Sequence, residues 1–286
     1  MIIPVTVVIA TRNEAANLKR CLDSLTEFER VIVVDSHSTD RTCEIADEGG
    51  AEVVQFVRTA SYPKKRQWAL ENLSIATPWV LLLDADEVVP LKLKDEIREV
   101  CTADESHDGY LIRKGFHFLG RRFRFGGFSH QAVLLFRQGK AKFEHVLDDD
   151  PSGMDMEVHE RLIVDGTVGQ LHTPLIHEDF KGLTAYIQKH NQYSDWEAAI
   201  RCRFMQTGHW GRETIRPNLF GNIQERRRFL KQILVHLPLE HWIWFLTHYF
   251  VFLGCLEGRP GLIACRLRSQ YIADVKAKMY EMNRDS

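Results

Sequence analysis

The sequence lacks several motifs that would place it in a well-defined class of protein. Its six cysteines are scattered without a CxxC pair, which argues against zinc ribbons and disulfide scaffolds and fits a reducing compartment. Neither GxGxxG nor GxxxxGK(S/T) occurs, so neither a dinucleotide-binding motif nor a P-loop is supported. The apolar start of the chain follows no basic segment, and it predicts a first strand, not a signal peptide.

Internal repeats and low-complexity segments are also absent, and the composition is that of an ordinary globular protein. The 286 residues are 44% hydrophobic and 27% charged, which allows one large domain or a domain with an appendage. Residues 1–200 contain 23 Lys and Arg against 32 Asp and Glu, whereas residues 201–286 contain 14 against 7. This asymmetry favours a basic C-terminal region that faces something anionic.

Short apolar runs alternate with helical patterns through the first part of the chain. Strands are predicted over residues 5–10, 31–34, 51–57 and 81–83, and helices over 15–25, 39–48 and 65–74. Strands separated by single helices imply βαβ units. The sequence therefore predicts an α/β fold with a mostly parallel, doubly wound sheet.

Three carboxylates directly follow the predicted strand 81–83. They are Asp84, Asp86 and Glu87. Carboxylates this close repel one another unless a cation or hydrogen-bond donors lie nearby. Oxygen ligands suit Mg²⁺ or Mn²⁺, which keep open positions for phosphate oxygens. The alternative is an acidic loop or a helix start without chemistry, because Asp and Glu favour helix N-termini.

Polar residues also follow the first two predicted strands, at 11–14 and 35–40. The carboxyl ends of parallel strands meet at one edge of the sheet, where open α/β sheets bind ligands. We therefore expect these residues and the carboxylates at 84–87 to form one site for a nucleotide. For Asp35 or Asp40 alone, the alternative is turn formation and helix capping.

Three stretches have the order and spacing of a known family. They are Val-Ile-Ala-Thr-Arg-Asn-Glu at 8–14, Val-Val-Asp-Ser-His-Ser-Thr-Asp-Arg-Thr at 33–42 and Leu-Asp-Ala-Asp-Glu at 83–87. With them the chain resembles the family 2 glycosyltransferases, which have the GT-A fold. The stretches 158–162 and 256–262 resemble a bacterial subgroup that includes the lipopolysaccharide core β-1,4-glucosyltransferases. The resemblance covers most of the chain and is weak over 201–228.

The resemblance implies a donor site with assigned residues. The base and ribose of a nucleotide sugar would be held by Thr11, Asn13, Glu14 and Asp35. Lys65 and Arg66 match basic residues near the donor, although residues 64–66 can also be read as a solvated face. Asp84 and Asp86 match the DxD motif of the family. Asp86 would ligate the metal, and Asp84 would contact the ribose or a metal-bound water.

The resemblance also assigns a base and a further metal ligand. Inverting transfer needs a base for the acceptor hydroxyl, and Glu160 occupies that place, with His159 orienting or contacting the acceptor. The alternative makes Glu160 the salt-bridge partner of a nearby arginine. His177 falls where the subgroup has a metal-binding histidine, although a lone histidine is more often structural.

The aromatic and basic region 109–146 suits an acceptor or donor pocket, because aromatic faces bind sugar rings and arginines bind phosphates. Ordinary core packing explains most of these aromatics equally well. No chemistry is assigned to the turn at 148–153.

The C-terminal region contains an uncharged stretch, Trp242 to Leu256, that follows arginines at 226–228. Its 15 residues fall short of the roughly 20 that span a bilayer. Tryptophans with flanking arginines suit an interfacial helix on an anionic leaflet. The alternatives are a buried helix or an oligomer contact. A turn is predicted at 258–261 and a basic amphipathic helix at 262–279.

These expectations combine into one hypothesis. A GT-A catalytic domain over 1–200, divided at about residue 110 into nucleotide-sugar and acceptor halves, precedes a helical membrane-association region over 201–286. The expected function is metal-dependent, inverting transfer from a nucleotide sugar, a UDP-sugar by resemblance, to a lipid-linked or lipopolysaccharide-core acceptor. The expected location is the cytoplasmic face of the inner membrane, without a nucleic-acid partner.

Two other functions fit parts of the pattern. A sugar-1-phosphate nucleotidyltransferase has a similar fold but usually needs an N-terminal Gly-rich phosphate loop, which is missing here. A non-catalytic nucleotide-sugar-binding protein would not need Asp84, Asp86, Glu160 and His177, and their presence speaks against it.

Overall fold

The structure is a computed structural model that describes residues 2–60, 62–103, 106–146, 155, 157, 160–211, 214–221 and 223–284. Its N-terminal part alternates strands with helices, in the order β1 (Ile3–Thr11), α1 (Ala15–Asp23), β2 (Phe28–Asp35), α2 (Thr42–Glu48), β3 (Glu52–Gln55), α3 (Lys65–Asn72) and β4 (Trp79–Asp84). The four strands are parallel and lie in the order β3-β2-β1-β4. The predicted elements of this part are present, with their ends shifted by a few residues.

The central strands are apolar because both of their faces are covered. One face of β1 and β4 contributes Val7, Ile9, Leu81 and Leu83 to a buried cluster, and the other face contributes Val8, Val80 and Leu82 to a second cluster. Full burial of a valine or leucine side chain contributes roughly 1.5–3 kcal/mol. This continuous burial fixes the strands and therefore the positions of the loops that follow them.

The second part of the chain continues the main sheet as a mixed sheet. Its elements are β5 (Glu87–Val88), α4 (Leu91–Thr102), β6 (Gly109–Phe118), β7 (Arg121–Arg122), β8 (His130–Arg137), β9 (Ala141–Phe143), β10 (Leu162–Val164), β11 (Val168–Gln170) and β12 (Leu175–His177). Strands β9 and β10 form a separate, two-stranded antiparallel sheet. The order continues from β4 as β8-β6-β12-β5, and β8 is antiparallel to both β4 and β6. Because β12 lies between β6 and β5, His177 pairs with Phe116 on one side and Glu87 on the other.

The aromatic residues of the β6–β8 region pack mainly against one another. Phe116, Phe123 and Phe128 have ring centroids 5.3–5.4 Å apart, and Phe118 lies 5.9 Å from Phe116. Phe118 and Phe123 are buried. For these rings the core-packing interpretation is the one that the structure supports.

The C-terminal part is helical. It consists of α5 (Gly182–Thr207), α6 (Ile223–Leu234), α7 (Glu240–Leu246), a π-helical turn (Thr247–Val251), a 3₁₀ turn (Gly254–Glu257) and α8 (Gly258–Arg284). A separate buried cluster that includes Trp196, Phe204 and Tyr271 lies between α5 and α8. Since α5 continues to Thr207, the predicted boundary after residue 200 falls inside a helix.

Ion pairs attach these helices to one another and to the sheet. Arg201 pairs with Glu197 at 2.7 Å and with Glu240 at 2.6 Å, and all three are buried. Arg228 pairs with the buried Glu144 beside β9 at 2.6 Å. Part of the positive charge in residues 201–286 is therefore neutralised inside the protein.

Two predictions for the C-terminal region are wrong. Residues 242–256 do not form one helix, because α7 ends in a π-helical turn and Leu253 adopts a left-handed conformation with φ 59°. Gly254 then packs so closely on the preceding turn that a Cβ there would lie 2.7 Å from the His248 carbonyl oxygen. The predicted turn at 258–261 is instead the first turn of α8. Among the described residues, no helix combines the length and the hydrophobicity needed to cross a membrane.

Candidate active site

The ends of β1 and β2 form a polar pocket around one carboxylate. Thr11 pairs with Asp35 in the parallel register, and its Oγ1 donates to Asp35 Oδ1 at 2.8 Å. The Ser38 amide donates to Asp35 Oδ2 at 2.7 Å. Burial alone would raise the pKa of Asp35, but the hydrogen bonds from Ser38 and Thr11 hold it below its ordinary value. Asp35 is therefore a preorganised, ionised acceptor.

The two other residues predicted in the first loop have different surroundings. Asn13 is exposed in a left-handed conformation (φ 53°), and its Oδ1 accepts from the Thr39 amide at 2.8 Å. Glu14 pairs at 2.5 Å with Lys181, at the start of α5, and accepts a hydrogen bond at 3.0 Å from Asn17 of α1. Asn13 thus joins the loops after β1 and β2, whereas Glu14 joins the first loop to α5.

The basic residues at the start of α3 are not a solvated face. Lys65 is 1% exposed, and its Nζ donates to the Thr11 carbonyl oxygen at 2.5 Å. Its Nζ also lies 3.2 Å from Asp155. Arg66 pairs with Asp84, so α3 connects the two parts of the predicted donor site.

The carboxylates after β4 lie beside His177. One ligand atom from each of Asp84, Asp86 and His177 can be chosen so that all three lie within 4.8 Å of one another. The register that pairs Ala10 with Asp84 places this group next to the Thr11–Asp35 pocket. The two strand-end sites that the sequence predicts separately are therefore neighbours.

The residues of this group fit a divalent cation. Oxygen and imidazole donors at this spacing match the ligands that Mn²⁺ takes in proteins, and the oxygens alone suit Mg²⁺. Asp86 is 7% exposed, and its buried Oδ1 finds no hydrogen-bond partner in the part of the chain that the structure describes. Leaving such an atom unpaired is costly, and a bound cation would satisfy it.

Glu87 and Lys114 hold this group in place. Glu87 is fully buried, accepts from the Asp84 amide at 2.9 Å and lies 3.3 Å from His177 Nδ1. The ammonium of Lys114, on β6, lies 2.7 Å from Asp84 and 2.6 Å from Glu87. A carboxylate on the far ring nitrogen fixes the orientation of a metal-binding histidine, so Glu87 supports His177.

The electrostatics of the group are those of a charge-balanced site. Burial would raise the pKa of Asp84, but Arg66 and Lys114 hold it well below its ordinary value. Burial would lower the pKa of His177, but Asp86 and Glu87 raise it to about 9. Without a metal, a protonated His177 therefore supplies positive charge where the carboxylates need it.

Sequence reasoning missed Lys114 and Lys189. Burial would lower the pKa of Lys189, but Tyr193, Asp86, Asp84 and Glu14 raise it. Its Nζ lies 5.8 Å from the centre of the Tyr193 ring, one turn further along α5. No motif marks either lysine, since each reaches the site only through the pairing of β6 or the packing of α5.

Glu160, the residue predicted as base, lies beside the start of α3. It pairs with Lys64 at 3.2 Å, and the two side chains are 5% and 3% exposed. Among the described residues, a lysine is thus one ion-pair partner of Glu160. His159 lies outside the described residues. Glu157, which sequence reasoning did not single out, accepts from the amides of Arg66 and Gln67 at the start of α3.

The Thr11–Asp35 pocket and the carboxylate–histidine group together form one polar edge of the α/β sheet, the edge where such folds bind ligands. Residues 6–152 match the profile of the family described as "Glycosyl transferase family 2". The chain belongs to this family. The finding confirms the predicted family and the predicted enzyme class, a glycosyltransferase.

Curated relatives carry matching descriptions. The "Lipopolysaccharide core biosynthesis glycosyltransferase LpsC" of Rhizobium meliloti is 27% identical over 202 residues, which cover 68% of this chain and 71% of the relative. An uncharacterized glycosyltransferase of Rickettsia felis is 40% identical over 104 residues, covering 36% of this chain and 35% of the relative. This chain is thus similar to lipopolysaccharide-core enzymes, as the sequence predicts.

A solved structure shares the fold over nearly the whole chain. The mannosyltransferase PcManGT of Pyrobaculum calidifontis, solved with GDP-Man and Mn²⁺, covers 97% of this chain and 87% of its own, with a TM-score of 0.50 and 15% identity. At this identity the likeness concerns the fold alone. The predicted GT-A fold, an α/β sheet followed by C-terminal helices, is confirmed.

Proposed function

We propose that the chain is a metal-dependent, inverting glycosyltransferase that uses a UDP-sugar and a lipopolysaccharide-core or lipid-linked glycan acceptor. The observation that carries the proposal is the register of β1 with β2 and β4. This register sets the carboxylate–histidine group beside the Thr11–Asp35 pocket. Such an arrangement suits a ligand with a base at one end and a diphosphate at the other.

Asp35 would recognise the base. An ionised carboxylate accepts a strong hydrogen bond from the N3–H of uracil. Thr11 and Ser38 hold the carboxylate in position, and Lys65 fixes the backbone of the same pocket by donating to the Thr11 carbonyl oxygen. Asn13 and Glu14 would line the ribose side of the loop.

Asp86 and His177 would hold the cation, and Asp84 would contact the ribose or a metal-bound water. When bound, a divalent metal ion supplies Lewis-acid stabilisation of the charge on the departing diphosphate. Arg66 and Lys114 hold Asp84, while Glu87 holds His177, so the ligand atoms are fixed before the donor arrives.

Glu160 would act as the base. Its carboxylate takes the proton of the acceptor hydroxyl while that oxygen forms a bond to the anomeric carbon. The bond from the anomeric carbon to the diphosphate breaks on the opposite face, so UDP leaves and the configuration inverts. Inversion and the assignment of Glu160 rest on the family resemblance, and His159 would orient the acceptor beside it.

The similarity to a lipopolysaccharide-core enzyme supports the proposed acceptor. All six cysteines are free thiols, which fits a reducing compartment and hence the cytoplasmic face of the inner membrane. The family match favours glycosyl transfer over nucleotidyl transfer.

A donor screen tests the proposal. The thermal midpoint of the full chain is measured with UDP-, GDP- and dTDP-sugars, each with and without Mn²⁺ or Mg²⁺. A ligand at 100 times its Kd should stabilise the native state by about 2.7 kcal/mol. The proposal predicts metal-dependent stabilisation by UDP-sugars above all. The proposal would be contradicted if none of these sugars stabilised the protein, or if the stabilisation were the same with and without metal.

An Asp35→Asn variant should bind UDP roughly 10- to 100-fold more weakly, because a hydrogen bond to an ionised group contributes about 1.5–3 kcal/mol. Isothermal titration with UDP and Mn²⁺ measures the change. Asp40→Asn is the matched control, since Asp40 also accepts amide hydrogen bonds in this loop, from Ala15 and Thr42. If the two variants bound UDP with equal affinity, Asp35 would only stabilise the turn and would not recognise the base.

A Lys189→Met variant should reduce kcat by roughly tenfold. The reason is that the charges of Asp86 and Asp84 raise the pKa of the ammonium that is lost, so its positive charge acts where the diphosphate charge would develop. Lys189→Arg should recover most of the rate. Gln188→Met, at the exposed neighbouring position, controls for the helix itself. Steady-state rates that are the same in Lys189→Met and Gln188→Met would exclude this role.

A further inference from the structure

An exposed apolar surface lies at the C-terminal turns. We define the apolar patch as Phe125, Phe250, Val251, Phe252, Leu253 and Leu256, whose exposed fractions run from 40% to 70%. Single exposed apolar residues are ordinary, but a contiguous group this large marks an interaction surface. Trp242 and Leu246 of α7 are also more than half exposed.

The patch is one surface built from two distant segments. The Gly126 amide donates to the Phe252 carbonyl oxygen at 2.7 Å, and His248 Nδ1 lies 2.7 Å from the Gly126 carbonyl oxygen. The amides of Arg124 and Phe125 donate to Glu257 at 2.6 and 2.8 Å. These bonds hold the loop after β7 against the turns before α8, so the patch keeps a fixed shape.

Backbone strain keeps one apolar side chain in this patch. Leu253 has φ 59°, a conformation that costs a non-glycine residue on the order of 1 kcal/mol or more, yet its side chain is 44% exposed. Burial of the Leu253 side chain within the protein does not offset that cost, because the side chain is largely exposed. The strain is understandable if the leucine contacts something outside the chain.

The charges around the patch are of one sign. Arg122, Arg124 and Arg259 are exposed. The two carboxylates of the stretch 239–263, Glu240 and Glu257, are both buried and paired with arginines. The patch therefore has arginines at its edge and no exposed carboxylate within either described segment, 119–128 or 239–263.

The patch is also close to the active site. Residues after β7 run back along β6, since the Phe123 amide donates to the Phe116 carbonyl oxygen at 2.9 Å. Phe116 is two residues from Lys114, which contacts Asp84. At strand dimensions, Phe125 therefore lies at most about 20 Å from Lys114 along the backbone. A shallow, open depression in the patch is lined by Arg124, Phe125, Val251, Phe252 and Leu253.

We propose that the apolar patch inserts into an anionic membrane surface and sets the active site close to that surface. The side chains of Phe250, Val251 and Leu253 enter the acyl boundary, while Arg122, Arg124 and Arg259 bind lipid phosphates. The inference that insertion brings the active site close to a lipid-bound acceptor rests on the proposed function. The insertion itself does not, since it needs no catalysis.

The charge pattern favours a membrane over a second copy of the chain. In a symmetric dimer the same patch would face itself and bring its arginines together without exposed carboxylates to pair with. An anionic lipid surface pairs every one of these arginines. The exposed Trp242 also fits this proposal, because tryptophan is enriched at membrane–water interfaces.

Vesicle sedimentation of the full chain tests this proposal. The chain is mixed with vesicles of phosphatidylcholine alone or of phosphatidylcholine with phosphatidylglycerol. Wild-type protein should sediment with the anionic vesicles. The Val251→Ser/Leu253→Ser variant should bind them about tenfold more weakly, and Arg122→Glu/Arg124→Glu should lose at least as much. Leu91→Ser and Lys92→Glu, at exposed positions at the start of α4, are the matched controls and should bind as wild type does.

Thermal midpoints and UDP–Mn²⁺ titrations show that each variant is folded. Wild-type protein that stays in solution with anionic vesicles would overturn the proposal, as would equal losses in the patch and control variants. A wild-type dimer that Val251→Ser/Leu253→Ser dissociates, with vesicle binding unchanged, would assign the patch to self-association instead. Vesicle binding without any UDP–metal binding would leave this inference standing and would reject the proposed function.

Discussion

An Asp86→Asn variant is expected to lose about 10³-fold or more in turnover with a nucleotide-sugar donor, which corresponds to about 4 kcal/mol. Asp86 contributes a buried oxygen, Oδ1, that has no hydrogen-bond partner among the described residues. It lies beside His177, whose Nε2 is 3.6 Å from the other carboxylate oxygen. An amide has the shape of the carboxylate but neither its charge nor its affinity for a hard cation, so metal binding should fail while the fold remains.

Asp95→Asn is the matched control, because the side chain of Asp95 is 71% exposed and only pairs with Arg98. Both variants should melt within a few degrees of the wild type when no metal is present. If Asp86→Asn showed normal turnover or normal Mn²⁺-dependent UDP binding, Asp86 would not be a metal ligand. Equal losses in the two variants would indicate a general effect of lost charge.

A Glu160→Gln variant is expected to lose 10²- to 10⁴-fold in kcat, the usual contribution of a general base, while UDP–Mn²⁺ affinity changes little. The amide keeps the shape of the side chain but cannot take the acceptor proton. The loss should concern transfer to the acceptor, and binding of the donor should be spared, because Glu160 pairs with Lys64 and is not one of the residues assigned to the metal or to the base of the nucleotide.

The ion pair with Lys64 requires its own control, since breaking a buried pair by removing one partner typically costs 3–5 kcal/mol. Lys64→Met leaves Glu160 ionisable and should retain far more activity than Glu160→Gln at a temperature where both are folded. If both variants lost stability alike and retained activity alike, Glu160 would be a structural ion-pair residue. Circular-dichroism melts and single-turnover rates of the two variants separate these outcomes.

The first half of the fold could be predicted because its information is local. Each strand of β1 to β4 is an apolar run that ends in polar residues, and parallel strands necessarily bring those ends together. Thr11, Asp35 and Asp84 could be assigned to one edge for this reason. The register then confirmed their proximity without changing the assignment.

The rest of the site depends on pairings that no local pattern encodes. Lys114 reaches Asp84 because β8 inserts between β4 and β6, and His177 reaches Glu87 because β12 lies between β6 and β5. Lys189 depends on how α5 packs. The family resemblance supplied His177, whereas no signal in a single sequence marks the two lysines.

The C-terminal stretch shows a different limit. Its composition predicted an exposed apolar segment but also a single helix, and the second expectation is wrong. The break at Leu253 and Gly254 arises from tertiary contacts with the loop after β7, where Glu257 binds the amides of residues 124 and 125. A surface assembled from two segments more than one hundred residues apart is visible only in three dimensions.

Titration of UDP into the full chain, with and without Mn²⁺, shows whether metal and diphosphate bind at one site. UDP is expected to bind at least tenfold more tightly with Mn²⁺ than without it, and Asp86→Asn should remove this difference while Asp95→Asn keeps it. The same UDP affinity in both solutions, or a metal effect that survives in Asp86→Asn, would contradict the assignment of Asp84, Asp86 and His177 as the site where metal and diphosphate meet.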